Sequence, residues 1–296
     1  MTQGATHRKH DILISNQSNP QTITLKINPK SFVMKIVRTI SAVVMLAAAA
    51  TAVAGTPKVI AHRGYWETEG SAQNSIRSLV KADSIGCYAS EFDIWMTTDS
   101  VVVLNHDPSI NGVVIEKSTA AEVCSQKLAN GENVPTLEEF LQVAQKLPIR
   151  LVCEVKSHDS QSSERACIMR TLDLMKKYGL EDRVDYITFS KNGYAHLVKK
   201  APKPAEVYYL SGDYIPVQVK FSKGKGIDYS LKAMRKHPEW TKECHDLGLE
   251  VNVWTVNKPE DMQWCIEQGV DYITTNRPEE LQKMLNVHKS QLPANK

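Results

Sequence analysis

Short apolar, β-rich runs alternate with helical patterns through most of this sequence, and that alternation limits the fold more than any other feature. Eight runs have the composition of strands: KVIAH, ASEFDIW, VVVLNH, RLVCEV, DYITF, EVYYL, LEVNVWTV and VDYITT. A strand followed by a helix and another strand is the unit of parallel sheets. About eight such units in about 240 residues predict an α/β fold, a single closed (β/α)8 TIM barrel rather than an open doubly wound sheet.

The segments between these runs carry the start and stop signals of helices. PTLEEFLQVAQKL places Thr136 three residues before Glu139, which is a capping-box arrangement. NSIRSLVKADSIG repeats apolar residues at steps of three and four and ends at Gly86. The longest irregular link, residues 107–134, is predicted to be a small loop insertion after the third strand. We expect no second domain beside the barrel.

The residues before the first strand have the layout of a secretory signal peptide over 34–54. Lys35 and Arg38 precede the uncharged run 40–50, and the segment ends in Ala52-Val53-Ala54. A transmembrane anchor is the alternative, but the Ala- and Thr-rich composition and the small-residue end favour cleavage. We therefore expect an exported protein, periplasmic or extracellular, whose domain is 55–296, with no stable membrane span after cleavage. Residues 1–33 are expected to be a misassigned or disordered extension before a true start at Met34.

Composition and motifs exclude several classes of function. The formal charge of +3 gives no reason to expect a nucleic-acid partner. The sequence has no G-x-G-x-x-G turn, no G-x-x-x-x-G-K-[ST] loop and no G-x-S-x-G elbow, so dinucleotide, nucleoside triphosphate and serine-hydrolase sites are not indicated. None of the six cysteines forms a C-x-x-C pair. We expect most of them to be buried thiols, although export would permit disulfides.

Polar side chains stand at or near the ends of the first four predicted strands. They are His62 and Arg63 on the first, Glu91 and Asp93 on the second, Asn105, His106 and Asp107 on the third, and Glu154 and Lys156 on the fourth. Barrel active sites lie at the carboxyl ends of the strands. Alternation along a strand puts Glu91 and Asp93 on one face and Phe92 on the other. The same alternation separates Glu154 and Lys156 from Val155, so Phe92 and Val155 should face the helices.

These residues together suit chemistry on a phosphate ester. Carboxylates inside a barrel repel one another and lose solvation, so they need a cation, and a hard divalent ion with oxygen ligands fits best. Arginine and lysine beside such an ion stabilise charge on phosphate oxygens, while one histidine accepts a proton and another donates one. The simpler alternatives are a polar cap on the first strand and a buried salt bridge from Glu154 to Lys156 or Arg63.

The sequence resembles the glycerophosphodiester phosphodiesterase family over essentially the whole of 55–296. The motifs that carry the resemblance are H-R-G at 62–64, E-x-D at 91–93, H-D-P at 106–108, VPTLEEFL at 134–141, E-x-K at 154–156, VWTVN at 253–257 and GVDYITTNRP at 269–278. The resemblance implies a barrel that hydrolyses glycerophosphodiesters, small-molecule substrates, to glycerol 3-phosphate and an alcohol. Such an enzyme would serve lipid metabolism or the scavenging of phosphate or glycerol.

The resemblance also implies a role for each site residue. His62 and His106 would be the acid/base pair; Glu91, Asp93 and Glu154 would hold one divalent cation, Mg²⁺ or Ca²⁺; and Arg63 and Lys156 would bind the phosphate. Trp254 is a possible wall of the substrate pocket, with barrel packing as its alternative role.

Two positions depart from the family pattern. Ala72-Gln73-Asn74-Ser75 stands where the family often has P-E-N-T, and Asn276 stands where Asp is common. Two other functions stay open from the sequence. One is a phospholipase D-like phosphodiesterase acting on lysophospholipids, which would need an apolar rim at the mouth. The other is a non-catalytic barrel that binds phosphate esters, which would predict the loss of a site histidine or carboxylate.

Overall fold

Eight parallel strands close into a barrel in the computed structural model, which describes residues 55–291. In chain order they are β1 (Lys58–Ala61), β2 (Ala89–Met96), β6 (Arg150–Val155), β7 (Val184–Thr188), β8 (Val207–Tyr209), β9 (Gly226–Ser230), β10 (Glu250–Trp254) and β11 (Tyr272–Thr275). The sheet closes because β1 pairs with β11 on one side and with β2 on the other. This confirms the predicted (β/α)8 barrel. The expectations for 1–33 and for the signal peptide at 34–54 lie outside the described residues.

Helices follow the strands and cover the outside of the barrel. They are α1 (Ile76–Ser84), α2 (Ala120–Cys124), α3 (Leu137–Ala144), α4 (Gln161–Lys177), α5 (Lys191–Lys200), α6 (Pro216–Phe221), α7 (Leu231–Lys236), α8 (Trp240–Asp246), α9 (Pro259–Gln268) and α10 (Pro278–Gln291). The capping box predicted for α3 forms, because Thr136 and Glu139 bond each other's backbone N–H groups. Gly269 ends α9 with φ 70°, a conformation that costs glycine little.

Alternation along the strands divides the apolar residues into two layers. The larger layer lies between barrel and helices, where the Phe92 and Phe140 ring centroids are 4.6 Å apart. Val155 belongs to the same layer, so both outward-facing residues lie where the sequence predicts. A smaller layer inside the barrel includes Ile60 and Tyr208. The strands are therefore fixed from both faces, which holds the polar side chains at their carboxyl ends.

The third predicted run is wrong as a barrel strand. Its strand, β3 (Val102–Leu104), runs antiparallel to β2 and lies outside the parallel barrel. Only residues 97–101 separate the two strands, whereas a parallel crossover needs about a dozen residues or more. Ser100 turns this short link with φ 62°. The run nevertheless carries His106 back toward the end of β2.

Strand β9 completes the eight strands of the barrel, in place of the run VVVLNH, and the sequence pattern did not predict it. It lies between β8 and β10 and reads GIDYS, in which glycine and aspartate are residues that strands disfavour. Packing explains the glycine, because a Cβ on Gly226 would lie 2.0 Å from the carbonyl oxygen of Glu250. The close approach of two strands therefore requires a residue that weakens the sequence signal.

The predicted insertion, residues 107–134, has structure of its own. It contains the strands β4 (Ser109–Ile110) and β5 (Val113–Val114), a 3₁₀ turn over Ile115–Lys117 and the helix α2. A separate apolar cluster beneath it joins it to β2 and β3 through Trp95, Val103, Ile115, Val123 and Val134. The segment is thus a packed addition to the mouth of the barrel.

All six cysteines are unpaired, as the expectation of buried thiols requires. Five are buried, and Cys124 is half-buried. Within residues 55–291 no helix is long and apolar enough to cross a bilayer.

Candidate active site

The chain leaves β1 in a tight turn that points the polar residues 62–64 toward β2. Arg63 has φ 57°, and its backbone N–H donates to Glu91 Oε2 at 2.7 Å. Gly64 has φ 76°, and a Cβ there would lie 2.2 Å from Ser78 Oγ. The glycine of H-R-G is therefore required by the turn itself, because α1 packs directly against it and leaves no room for a side chain.

Three carboxylates meet at the mouth of the barrel. Glu91 and Asp93 come from β2 and Glu154 from β6, and one oxygen of each lies within 4.8 Å of the others. The register places Asp93 directly beside Glu154. All three are buried, with exposed fractions of 8% or less. The alternation read from the sequence thus brings together the three predicted metal ligands.

Lys156 and Asn74 hold the central carboxylate. Lys156 Nζ lies 2.9 Å from Asp93 Oδ1 and 2.8 Å from Glu154 Oε1. Asn74 Nδ2 donates to Asp93 Oδ2 at 2.8 Å, and Asn74 Oδ1 accepts from the Asp93 backbone N–H at 3.0 Å. Arg63 Nε lies 3.7 Å from Asp93 Oδ2. The predicted salt bridge between Glu154 and Lys156 is therefore present within the cluster.

The three carboxyl groups differ in protonation because their surroundings differ. Burial, together with Asp93, raises the pKa of Glu154 to about 8 and raises the pKa of Glu91 well above its ordinary value. Burial opposes ionisation of Asp93 as well, but the Lys156 ammonium and the Asn74 amide outweigh it and lower the pKa of Asp93. The protein's own cations thus stabilise one anion here, and additional positive charge is needed to ionise all three.

The cluster fits a divalent cation. Its donors are all carboxylate oxygens, which Mg²⁺ and Ca²⁺ prefer. Glu91 Oε1 is buried and has no hydrogen-bond partner in the described part of the chain. Such an atom is costly unless a ligand satisfies it. Glu91, Asp93 and Glu154 are therefore the residues able to hold the ion.

His62 lies beside the cluster and is hydrogen-bonded to the end of β11. Its Nδ1 lies 2.7 Å from Asn276 Oδ1. Asn276 is itself fixed, because its backbone N–H donates to Asn257 Oδ1 at 2.9 Å. Burial, followed by the charge of Arg63, lowers the pKa of His62 to about 4. The imidazole is thus neutral at physiological pH and available as a proton acceptor.

His106 lines the same cleft as His62 and lies on the link from β3 into the insertion. Its Nδ1 lies 2.7 Å from Asp107 Oδ1, and its backbone carbonyl accepts from Trp95 Nε1 at 3.4 Å. Burial lowers the pKa of His106, while Asp93 acts in the opposite direction. The hairpin of β2 and β3 thus delivers this histidine without a parallel third strand.

One cleft, of about 100 Å³, is lined by several of these groups and by aromatic side chains. Its charged side includes His62, Arg63, Glu91, His106 and Glu154, and its other side includes Phe189, Leu210, Asp228 and Trp254. The Trp254 and Phe189 ring centroids are 5.5 Å apart, and Trp254 Nε1 donates to the Asp228 carbonyl at 2.8 Å. Trp254 therefore both lines the cleft and packs within the barrel, so both of its predicted roles are compatible with its position.

Three residues of the site have contacts that the sequence analysis did not anticipate. Asn74 binds Asp93, and the segment Ala72-Gln73-Asn74-Ser75 gave a signal only through its departure from a family motif. Phe189 follows β7 directly and is the last residue of the predicted run DYITF, so its position at a strand end was an available signal. Asp228 lies on the unpredicted strand β9, and burial raises its pKa to about 7.

Comparison with known proteins identifies relatives over most of the chain. The sequence profile of the glycerophosphoryl diester phosphodiesterase family matches residues 62–280. A glycerophosphodiester phosphodiesterase of Caldanaerobacter subterraneus subsp. tengcongensis is 28% identical over 239 residues, which cover 75% of this chain and 95% of that protein.

Solved structures with the same fold include two phosphodiesterases. A glycerophosphodiester phosphodiesterase from Parabacteroides distasonis is 46% identical, with a TM-score of 0.77 over 79% of this chain and 98% of the other. An Oleispira antarctica phosphodiesterase, solved with its product sn-glycerol-3-phosphate, is 20% identical with a TM-score of 0.68. The match covers 78% of this chain and 97% of that one, and at this identity it supports the fold alone.

Proposed function

The chain belongs to the glycerophosphoryl diester phosphodiesterase family and is a phosphoric diester hydrolase. From this premise we propose a role in the reaction for each residue of the site. The overall reaction consumes water and releases glycerol 3-phosphate and an alcohol. The observation that supports this division of roles is one cleft that is lined by both histidines, Arg63 and two carboxylates of the acidic cluster, Glu91 and Glu154.

We propose that activity requires one divalent cation, Mg²⁺ or Ca²⁺, held by Glu91, Asp93 and Glu154. When bound, the ion would supply positive charge to the phosphate oxygens. Arg63 would hold a phosphate oxygen from the cleft side, and the hydrogen bond from its Nη1 to Gln73 Oε1 at 2.6 Å supports this role because it orients the guanidinium. Lys156 would add positive charge from behind, where its ammonium already contacts two of the carboxylates.

The two histidines divide the proton transfers. His62, neutral and hydrogen-bonded to Asn276, accepts a proton from the attacking water oxygen as that oxygen bonds to phosphorus. His106 donates a proton to the alcohol oxygen as the bond from phosphorus to that oxygen breaks. One proton is thus removed and one supplied. The assignment of His106 to the leaving group is supported by its position, since it lines both the cleft and a neighbouring groove.

Release of glycerol 3-phosphate from glycerophosphoethanolamine tests these roles. We expect activity with Mg²⁺ or Ca²⁺, loss of activity in EDTA, and recovery when the ion is restored. His62→Ala and His106→Ala should each reduce kcat by about 10²- to 10⁴-fold, which is the usual contribution of general acid–base catalysis. His196→Ala, on the outer helix α5, is the matched control and should keep full activity. Activity that survives EDTA and both substitutions would contradict the mechanism.

We also propose that the protein is exported and that its mature chain begins near Gly55. The support is the charge, apolar run and small-residue end of 34–54. Mass spectrometry of the protein from its natural host should find an N-terminal peptide near Gly55. Peptides from residues 1–33 in that sample would contradict the start at Met34.

A further inference from the structure

A second groove, of about 460 Å³, adjoins the catalytic cleft. One wall is the loop 65–75 after β1, and the other is formed by residues 105–129 of the hairpin end and insertion. His106 lines both cavities, so it stands between the phosphate site and this groove. A group attached to the oxygen that His106 protonates would extend into the groove.

Amide side chains give the groove both donors and acceptors. Gln73 uses Oε1 for Arg63, which leaves its Nε2 without a partner among the described residues. Asn105 and Asn111 each donate from Nδ2, and within residues 55–291 neither Oδ1 atom accepts a hydrogen bond. Hydroxyl groups match such a mixture, because each can donate and accept.

The Trp66 side chain provides a second, independent observation about this groove. Trp66 lines the groove, and its Nε1 is buried with no hydrogen-bond partner in the described chain. An indole ring offers a flat apolar surface to C–H groups and one donor at its edge. A ligand with C–H groups can pack on the face of this ring where it lines the groove.

The charges lining the groove balance. Asp107 is one carboxylate, already paired with His106, and Lys127 is one ammonium. A cationic ligand would face Lys127 and an anionic one would face Asp107. The walls therefore hold no excess charge that favours an ionic head group over a neutral one.

We propose that this groove binds the alcohol half of the diester and that the preferred alcohol is an uncharged polyol. The inference rests on the proposed function, since it assigns a place to the leaving alcohol. The polyol hydroxyls take the free Gln73 donor and the Asn105 and Asn111 acceptors, while the carbon skeleton lies on Trp66.

Three diesters that share the glycerol 3-phosphate half test the assignment. They are glycerophosphoglycerol and glycerophosphoinositol, whose alcohols are uncharged polyols, and glycerophosphocholine, whose alcohol is a cation. With Mg²⁺ present we expect kcat/KM to be about tenfold or more higher for the polyol esters, because a site built for hydroxyl groups rejects ligands that lack them. Hydrolysis of all three at equal efficiency would overturn this inference alone. Hydrolysis of none would overturn the proposed function.

Gln73→Glu is the sharpest variant. It keeps the oxygen that accepts from Arg63 but replaces the free donor with negative charge. We expect KM for the polyol esters to rise about tenfold and KM for glycerophosphocholine to fall. Because Gln73 also holds Arg63, any loss of kcat should be the same for all three esters. Gln145→Glu makes the same chemical change at the exposed C-cap of α3 and should alter neither KM.

Trp66→Leu provides a second line of evidence that does not depend on the charge of residue 73. We expect it to weaken the polyol preference while thermal unfolding confirms that the protein is folded. If Gln73→Glu changes KM equally for all three esters, or if Trp66→Leu leaves the ratios of their kcat/KM values unchanged, the groove does not bind the alcohol.

Discussion

The hydrogen bond between His62 and Asn276 sets the chemistry of the proposed base. An amide oxygen orients the imidazole without adding charge, so it stabilises the protonated ring less than a carboxylate would. Burial and Arg63 meanwhile lower the pKa of His62 to about 4. The other charged or titratable groups around the ring are Asp93, which raises this pKa, and His106, which lowers it. His62 therefore stays unprotonated well below neutral pH.

Asn276→Asp tests whether the unprotonated His62 imidazole is the base. A carboxylate beside Nδ1 favours imidazolium, so the pKa of His62 should rise by about one to three units. A base must be unprotonated to act, and the acidic limb of kcat/KM against pH should therefore move to higher pH by a similar amount. The profile should be measured at saturating divalent ion. Asn276→Ala removes the partner without adding charge and should lower kcat without that upward shift. An unmoved limb in the aspartate variant would show that His62 is not the base.

Most strands and helices of the barrel were predictable from the sequence, because strand alternation and helix caps are local signals. The capping box at Thr136 and Glu139 and the outward positions of Phe92 and Val155 were all confirmed. VVVLNH was wrong as a barrel strand, although the five-residue link before it indicates a hairpin. GIDYS was missed because the fit of Gly226 against Glu250 is a contact between distant parts of the chain.

The candidate site was predictable where it depends on alternation and unpredictable where it depends on loops. Glu91, Asp93 and Glu154 converge because they occupy inward positions on neighbouring strands, and a sequence shows that period directly. The contact from Asn74 to Asp93 depends on a loop in which Asn74 has φ 56°, and no periodicity reports it. The position of Asp228 in the cleft could not be predicted, because the sequence pattern did not identify its strand, β9.

Gly64→Ala tests the turn that joins β1 to α1. The backbone has φ 76°, and the new Cβ would collide with Ser78 Oγ. Conformational strain of about 1 kcal/mol and overpacking of about 1–3 kcal/mol should lower the free energy of unfolding together. Gly179→Ala is the matched control, because it has φ 64° but nothing within 4 Å of the new Cβ. Urea unfolding should show the smaller loss for the control, and equal losses would mean that packing against α1 costs nothing.

For the molecule as a whole, closure of the barrel creates the site. The pairing of β1 with β11 brings His62 to Asn276, and the pairing of β2 with β6 brings Asp93 to Glu154. The same closure buries three carboxylates together, which is unfavourable without added positive charge. The acidic cluster therefore lowers the free energy of unfolding, and a cation that binds only the folded barrel raises it again.

We therefore expect Mg²⁺ or Ca²⁺ to stabilise the whole barrel. At one hundred times its Kd an ion that binds only the folded state adds about 2.7 kcal/mol, which should raise Tm by about 5–10 °C in a domain of this size. The rise should be larger at pH 8 than at pH 6. The pKa of Glu154, raised to about 8, means that this group holds a proton at the lower pH, which the ion must displace, and the raised pKa of Glu91 acts in the same direction. Calorimetry with and without EDTA measures the effect. Glu91→Gln should reduce the ion-dependent rise, whereas Glu279→Gln, on the outer helix α10, should preserve it. An equal rise in both variants would place the ion elsewhere.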